Sequence, residues 1–315
     1  MSKQKFSAVA ENEPQSEATG TEVAVAQPTA VSTDVQARGL QVRFATLMPF
    51  YTVCALPDDV VRECKEGDFV LKLSKTSAFR LSGSGRNNKV RAIVVDGKRG
   101  FLEGCPLGEG GTQAVPRAWV VGRPKAPDST EVLKTLEECR AAAQAEAPDV
   151  RFYRFEDYSK AMNPIPKHYI AECFYLELLV QVPETAPADV LLIKVGDTLY
   201  TPARVLFKKF DPIKVRQFFN NIQTRESMKH RGDKSWTWSP YGQFISIFTE
   251  GQPFTRPNGS KGAIWTPRVE AALDDKGSLY VPNDEEVQDL QGFYNAATNS
   301  PVTEAELAEA GSGDL

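Results

Sequence analysis

The sequence predicts an α+β, β-rich fold: antiparallel sheets or a barrel-like body with two main helices, a flexible N-terminal arm and an acidic C-terminal tail. Most of the central chain consists of short β-branched and aromatic runs separated by turn-forming residues, which is typical of strands. Two segments show the apolar spacing of an amphipathic helix. Both ends are rich in small and polar residues and bury too little apolar area to fold alone.

The first β-rich segment, residues 38–125, contains four strand-like runs. In the third of them Asp96 and Gly97 supply the residue pair that a tight primed turn prefers, so VVDGKRGFL predicts a hairpin. The four runs are RFATLMPFYTVCAL, DFVLKLSKTSAFRLSG, KVRAIVVDGKRGFLEG and RAWVVGR.

Residues 126–150 predict a linker helix, over the segment DSTEVLKTLEECRAAAQAEA. Asp128 or Ser129 is a suitable N-cap, and prolines flank the segment on both sides. Its apolar residues recur at three- and four-residue steps, as one face of a helix requires: Val132, Leu133, Leu136 and Cys139.

Residues 151–296 form a second β-rich segment that includes a basic helix. HYIAECFYLELLVQV predicts a long buried strand, and ADVLLIKVGDTLYTPARVLF predicts a strand pair that turns at Gly196-Asp197. The helix is predicted to begin with Asp211 as N-cap and Pro212 at the first helical position, and to stop at Gly232. Its apolar stripe is Val215, Phe218 or Phe219, and Ile222.

The two ends of the chain are predicted to lack a fixed structure. Residues 1–37 form the disordered arm, with no aromatic residue after Phe6, and residues 297–315 form the acidic tail. The start of the chain lacks the apolar region of a secretory signal. The five cysteines are widely spaced and are expected to be reduced thiols: Cys54, Cys64, Cys105, Cys139 and Cys173. A cytoplasmic location is therefore expected, in the host cytoplasm if a phage encodes the protein.

Several function classes are disfavoured by the sequence. The sequence contains no run of about eighteen apolar residues, so no membrane-spanning helix is predicted. The chain has two histidines, His168 and His230, and no ligand spacing typical of a metal site, so neither a metal nor another cofactor is expected. His168 and Cys173 are five residues apart in a predicted strand, which places them on opposite faces. No other catalytic pattern is present, and the protein is expected not to be an enzyme.

Charge is distributed unevenly along the chain. Residues 204–234 contain nine Lys or Arg against three acidic residues, and residues 80–99 contain six against one. Residues 270–315 contain eleven acidic residues and one Lys. Such runs are often no more than solvated faces. The alternative is that the basic segments bind phosphates, for which RLSGSGRNNKVRA offers cations around a Gly/Ser/Asn loop.

Aromatic residues follow the basic segment 204–234, in KSWTWSPYGQFISIFTEG. Strict alternation places Trp236 and Trp238 on one face of a strand, and Ser239 to Gly242 predicts a turn. The two rings either fill the core or stack on bases. We expect a division, with Trp236 packed against Phe218 or Phe219 and Trp238 exposed. The residues predicted to bind nucleic acid are Arg80, Arg86, Lys89, Arg91, Lys208, Lys209, Lys214, Arg216, Arg225, Lys229, Arg231, Trp238 and Tyr241.

Basic patches interleaved with aromatic residues on a β scaffold, followed by an acidic tail, resemble the layout of single-stranded-DNA-binding proteins of bacterial and phage replication systems. The tail ends in GSGDL and lacks the terminal aromatic residue usual in those proteins. The resemblance implies a non-catalytic function in replication or recombination, a phage or mobile-element origin, single-stranded DNA or RNA as ligand, and basic partner proteins that bind the tail.

A structural or assembly protein, such as a virion or complex component, is the alternative. Flexible arms around a β-rich body suit contacts between subunits. The sequence leaves homo-oligomerisation open under both hypotheses.

Overall fold

The computed structural model describes most of the central chain, and within it the chain forms four helices and thirteen strands. The described residues are 44–50, 56–74, 76–104, 117–126, 129–154, 157, 168–208, 211–232, 239–255, 259, 261–274, 276 and 279–297. The helices are α1 (Asp58–Glu63), α2 (Leu136–Glu146), α3 (Asp211–Lys229) and α4 (Asp284–Ala297).

The strands are β1 (Ala45–Pro49), β2 (Phe69–Lys72), β3 (Ala78–Ser82), β4 (Val90–Glu103), β5 (Ala118–Val120), β6 (Arg123–Pro124), β7 (Val132–Leu133), β8 (Phe152–Tyr153), β9 (Ile170–Gln181), β10 (Ile193–Val195), β11 (Thr198–Phe207), β12 (Phe244–Thr255) and β13 (Lys261–Ala271).

Eleven of these strands form one sheet, whose main path runs β13-β12-β4-β9-β11-β1-β2-β3. Neighbours on this path are antiparallel except β1 and β11, which are parallel. The central strands β4 and β9 come from the two β-rich segments of the sequence and pair along most of their lengths. Both segments therefore contribute to the same sheet.

The sheet curls into a half-barrel. Thr249 on β12 donates a hydrogen bond from its hydroxyl to the carbonyl of Gly67, 2.6 Å away, just before β2. The Trp265 ring of β13 lies against the same glycine, where a Cβ would come within 2.2 Å of the ring. Gly67 also has a φ of 86°, so glycine is required there on two counts. These contacts bring regions from opposite parts of the sheet together. The strands and helices of the described residues confirm the β-rich α+β class.

The inner face of the half-barrel holds the largest apolar cluster, with side chains from β1, β2, β4, β9, β11 and β12. Helix α3 contributes buried Val215 to this cluster, and half-buried Phe218 and Phe219 pack against it. The opposite face is covered by α4, through Leu290 and Phe293. Helix α2 packs on a separate cluster around Phe101, Trp119 and Ile170.

Local signals predicted several elements correctly. Strand β9 is almost entirely buried, as HYIAECFYLELLVQV indicated. Strands β10 and β11 turn at Gly196-Asp197, with Gly196 at a φ of 56°. Helix α3 runs from Asp211 to Lys229, so it includes the residue predicted as its N-cap and ends shortly before Gly232, which has a φ of 103°.

Two expectations were wrong. The VVDGKRGFL segment does not form a hairpin, because β4 continues through Asp96 and Gly97 with a bulge between Val94 and Asp96. Pairing with β9 on both sides of the bulge outweighs the local turn preference. The linker helix begins at Leu136, after a capping box between Thr135 and Glu138, while Val132 and Leu133 form β7. Among the described residues there are four helices, and two of them, α2 and α3, lie in the two segments predicted to be helical.

Candidate nucleic-acid interface

Helix α3 presents a basic surface to solvent. Its apolar stripe faces the core through Val215 and Ile222, and four cations on the remaining surface are exposed: Lys214, Arg216, Arg225 and Lys229. From Gln223 to Gly232 every residue except Glu226 is exposed, so this end of the helix extends beyond the core. Glu226 pairs with Lys229 at 2.8 Å. Arg231, just after the helix, is exposed as well.

The first turn of α3 is anchored to the β12–β13 pair by Arg268. This buried guanidinium donates from Nε to Glu250 Oε2 at 2.8 Å and from Nη1 to Asp211 Oδ1. Asp211 and Arg268 are both largely shielded from solvent. Hydrogen bonds between oppositely charged groups are stronger than those between neutral groups. The cationic face of α3 is therefore held at a fixed position relative to the sheet.

Glu250 marks the place where the two basic segments meet. The hydrogen bond from Arg268 lowers the pKa of the Glu250 carboxyl, against the opposing effect of burial. The charges of Lys214 and Arg86 lower this pKa further. Lys214 belongs to the 204–234 segment and Arg86 to the 80–99 segment, so the fold brings members of both predicted patches close to one carboxylate.

The Gly/Ser/Asn loop between β3 and β4 packs against the β12–β13 pair. The Gly85 amide donates to Thr249 Oγ1 at 3.2 Å, and the Arg86 guanidinium lies 5.9 Å from the centre of the Phe248 ring. Arg86 Nη2 is 3.0 Å from Glu270 Oε2, and Lys89 pairs with the other oxygen of the same carboxylate. Glu270 thus partly neutralises both predicted phosphate ligands, although Arg86 remains largely exposed.

If this surface binds single-stranded DNA, as the sequence predicts, Glu270→Gln should raise the affinity by about fivefold at low salt, because two cations lose a competing carboxylate. Fluorescence anisotropy titration of a labelled oligonucleotide measures this change. Glu285→Gln, which removes an exposed carboxylate on α4, is the matched control and should change the affinity much less. Equal affinities of the two variants would show that Glu270 does not restrain Arg86 and Lys89.

Other predicted ligands make contacts that serve the fold. Arg80 is 2.7 Å from the buried carboxylate of Asp68. The Arg91 guanidinium lies 4.6 Å from the centre of the Tyr280 ring, on the face of the sheet that α4 covers. Lys208 follows β11 and is half-buried. The backbone carbonyl of Lys208 accepts a hydrogen bond from the amide of Asp211, the first residue of α3.

The turn after α3 contributes an exposed ring. Tyr241 is 40% exposed, and the neighbouring Gly242 amide donates to the carbonyl of Val94 at 2.8 Å. Tyr241 is thus held next to the central strand β4. Lys209, Trp236 and Trp238 lie outside the described residues, so the predicted division of the two Trp rings between core and ligand stays a prediction.

One cation of the 204–234 segment is unavailable to any ligand at the surface. Arg204 is 1% exposed and donates to Glu177 Oε1 from both Nε and Nη2, at 3.2 and 2.8 Å. Arg123 Nη2 reaches the same oxygen at 2.8 Å, and Lys98 Nζ lies 3.3 Å from Oε2. Burial alone would raise the pKa of Glu177, but these three cations hold it below its ordinary value.

The histidine and cysteine discussed above have separate environments. His168 Nε2 is 2.6 Å from Glu103 Oε1, and Arg117 Nε is 2.6 Å from the other oxygen of that carboxylate. Cys173 is buried, and burial raises the pKa of its thiol well above the ordinary value. Within the described ranges, no group of three or more His, Cys, Asp or Glu side chains could hold a metal ion.

Sequence reasoning missed the acidic residues that organise this surface. Glu250, Glu270 and the cation Arg268 belong to β12 and β13, far along the chain from the Arg86 loop. Their roles depend on the pairing of these strands with each other and with β4. The sequence carries no local signal for these pairings.

Comparison of the chain with protein-family models, with curated proteins and with solved structures finds no match. In the part of the chain that the structure describes, no helix is both long and apolar enough to cross a membrane.

Proposed function

We propose that this chain is a non-catalytic single-stranded-DNA-binding protein of a replication or recombination system, with α3 at the centre of its binding surface. One observation carries the proposal: α3 exposes four cations and anchors its first turn through Arg268 and Asp211. Glu226, the only other acidic residue of the helix, is already paired with Lys229. Several exposed cations on a helix that is anchored to the sheet are what a flexible polyanion requires for binding.

Two further features of the described surface support a single strand as the ligand. Exposed Tyr241 offers a ring on which a base can stack, and base stacking on aromatic rings tolerates any sequence. The charges of Lys214 and Arg86 both lower the pKa of Glu250, and Arg86 also lies against the Phe248 ring of β12, so we infer that the Gly/Ser/Asn loop extends the basic surface beyond the helix. RNA is an alternative ligand that the same groups accommodate. A phage or mobile-element origin and function in the cytoplasm belong to this proposal.

Titration of labelled single-stranded DNA, single-stranded RNA and duplex DNA at increasing salt tests the proposal. We expect tightest binding to single strands and a log–log salt slope of about −0.7 for each phosphate neutralised. Absence of binding to all three ligands at low salt would refute it.

Structural or assembly activity remains the second candidate, and one observation favours it. Three apolar side chains are strongly exposed on the segment that leads into α4 and on its first turns: Leu273 at 52%, Val281 at 78% and Val287 at 47%. Apolar side chains that stay exposed on one segment of the chain offer a surface for contacts between subunits. Size-exclusion chromatography with light scattering distinguishes the candidates, because a large assembly that forms without nucleic acid would favour this one.

We expect deletion of residues 301–315 to raise the apparent affinity for single strands at low salt. This tail carries four acidic residues and no cation, so it can compete with DNA for the basic surface. Its release on DNA binding would expose it to basic partner proteins. The measurement is an anisotropy titration of the truncated and full chains at low and high salt. Equal or weaker binding by the truncated chain would show that the tail is not a competitor.

A further inference from the structure

The part of α3 that lies farthest from the core is rich in amides rather than charges. Val215 and Ile222 define the buried side of the helix. At 3.6 residues per turn, Gln217 and Asn220 occupy the opposite side, and Asn221 lies next to them on the flank of Lys214 and Arg225; all three amides are exposed. These three residues form what we call the amide crest.

The side chains of the amide crest are available to a ligand. Within the described chain, none of their amide groups hydrogen-bonds to another residue. Thr224, one turn after Asn220, donates its hydroxyl to the Asn220 backbone carbonyl at 2.8 Å, so it is already engaged. Each free amide offers a carbonyl acceptor beside an NH₂ donor.

Cations follow one flank of the crest. Helical spacing places three cations on this flank, over about 22 Å along the helix axis: Lys214, Arg225 and Lys229. All three are exposed. A polyanion held by these cations would therefore run beside the amide crest over several turns, with its bases within reach of the amides.

Base chemistry then determines which nucleotide fits. Phosphate contacts position a nucleic acid, whereas hydrogen bonds to base edges specify its sequence. Adenine presents an amino donor next to a ring-nitrogen acceptor, which is the complement of a side-chain amide, and Asn and Gln are its usual bidentate partners. In a single strand these base edges are unpaired and accessible.

We propose that the amide crest contacts adenine edges and gives the protein a preference for adenine-containing single strands. This inference rests on the proposed function, because it requires a strand held along α3. It adds a specificity that the cations and Tyr241 do not provide, since phosphate contacts and ring stacking are shared by all nucleotides.

The test compares three single-stranded oligonucleotides of equal length by anisotropy titration: oligo-dA, oligo-dT and an oligonucleotide in which purine, adenine without its 6-amino group, replaces each adenine. Purine keeps a two-ring base for stacking and lacks the amino donor. We expect oligo-dA to bind about tenfold more tightly than either of the others.

Gln217→Ala combined with Asn221→Ala should bring the three affinities close together. Alanine favours helix formation, so the fold should be kept, and thermal unfolding checks this. The salt slope should not change, because the phosphate contacts remain. Gln223→Ala makes the same chemical change at an exposed position away from the crest and should keep the adenine preference.

Each outcome has a separate meaning. Equal binding of the three oligonucleotides by the wild-type protein would overturn the inference and leave the proposed function standing. An adenine preference that persists in the double variant would also overturn it and would assign the preference to other residues. A wild-type protein that binds none of the oligonucleotides would overturn both the inference and the proposed function.

Discussion

Glu177→Gln should lower the free energy of unfolding by about 3–5 kcal/mol, because breaking a buried ion pair leaves an uncompensated charge in the interior. The substitution keeps the size of the side chain and removes its charge. Arg204, which is 1% exposed and donates two hydrogen bonds to Glu177, would lose its ionic partner. Urea denaturation followed by circular dichroism or fluorescence measures the loss.

The pH dependence of stability should change in the same variant. The cations around Glu177 outweigh the effect of burial and lower its pKa in the folded protein, below the ordinary value of 4.5. A lowered pKa contributes stability at neutral pH, and this contribution is lost as the pH falls through the folded value. The wild-type protein should therefore lose more stability than Glu177→Gln on acidification below that ordinary value.

The matched control for this experiment is Glu131→Gln. Glu131 lies 3.6 Å from Lys125, but its side chain is 69% exposed, so the pair should contribute less than about 1 kcal/mol. A loss for Glu177→Gln as small as that of the control would mean that the buried cations find other partners.

Simultaneous reversal of Lys214, Arg225 and Lys229 to Glu should weaken binding to single strands by on the order of 100-fold at low salt. Three phosphate contacts would be replaced by repulsion, and the log–log salt slope should become shallower by about 2. The three side chains are exposed, so thermal stability should change little. Anisotropy titrations at several salt concentrations give both quantities.

The control for the triple reversal changes the net charge equally elsewhere. Arg62, Lys65 and Lys134 are exposed cations outside α3, on or near α1 and before α2. Their reversal to Glu should leave most of the binding intact. If the two triple variants lose affinity equally, binding depends on overall charge and α3 has no special part in it.

Elements with a complete local signal were predictable from the sequence. Helix α3 carries its starting residues, its apolar stripe and its terminating Gly232 within one segment, and β9 is a single apolar run. Strand β4 was mispredicted because Asp96-Gly97 is a strong local turn signal. The strand that keeps β4 extended, β9, begins almost seventy residues farther along the chain. The register of the pairing between β4 and β9 cannot be read from the local sequence of β4.

The candidate site divides in the same way. The exposed cations of α3 follow from helical spacing alone, since the apolar stripe fixes which side faces the core. The ion pair between Arg86 and Glu270 joins residues separated by 184 positions. Which cations of the 80–99 segment are neutralised therefore depends on strand order. The sequence shows that these residues are charged, but which of them form ion pairs depends on the arrangement of strands in the sheet.

The order of strands in the sheet also has a consequence for how the chain is made. On a ribosome, β4 emerges before both of its long neighbours, β9 and β12. Until the start of β12 has been synthesised, one edge of this largely buried strand lacks the native partner of its first residues, Val90 to Ile93. Unpaired strand edges promote association between nascent chains, and folding that depends on such distant contacts is slow. Slower synthesis at reduced temperature should therefore improve the soluble yield, and fragments that end before β12 should aggregate.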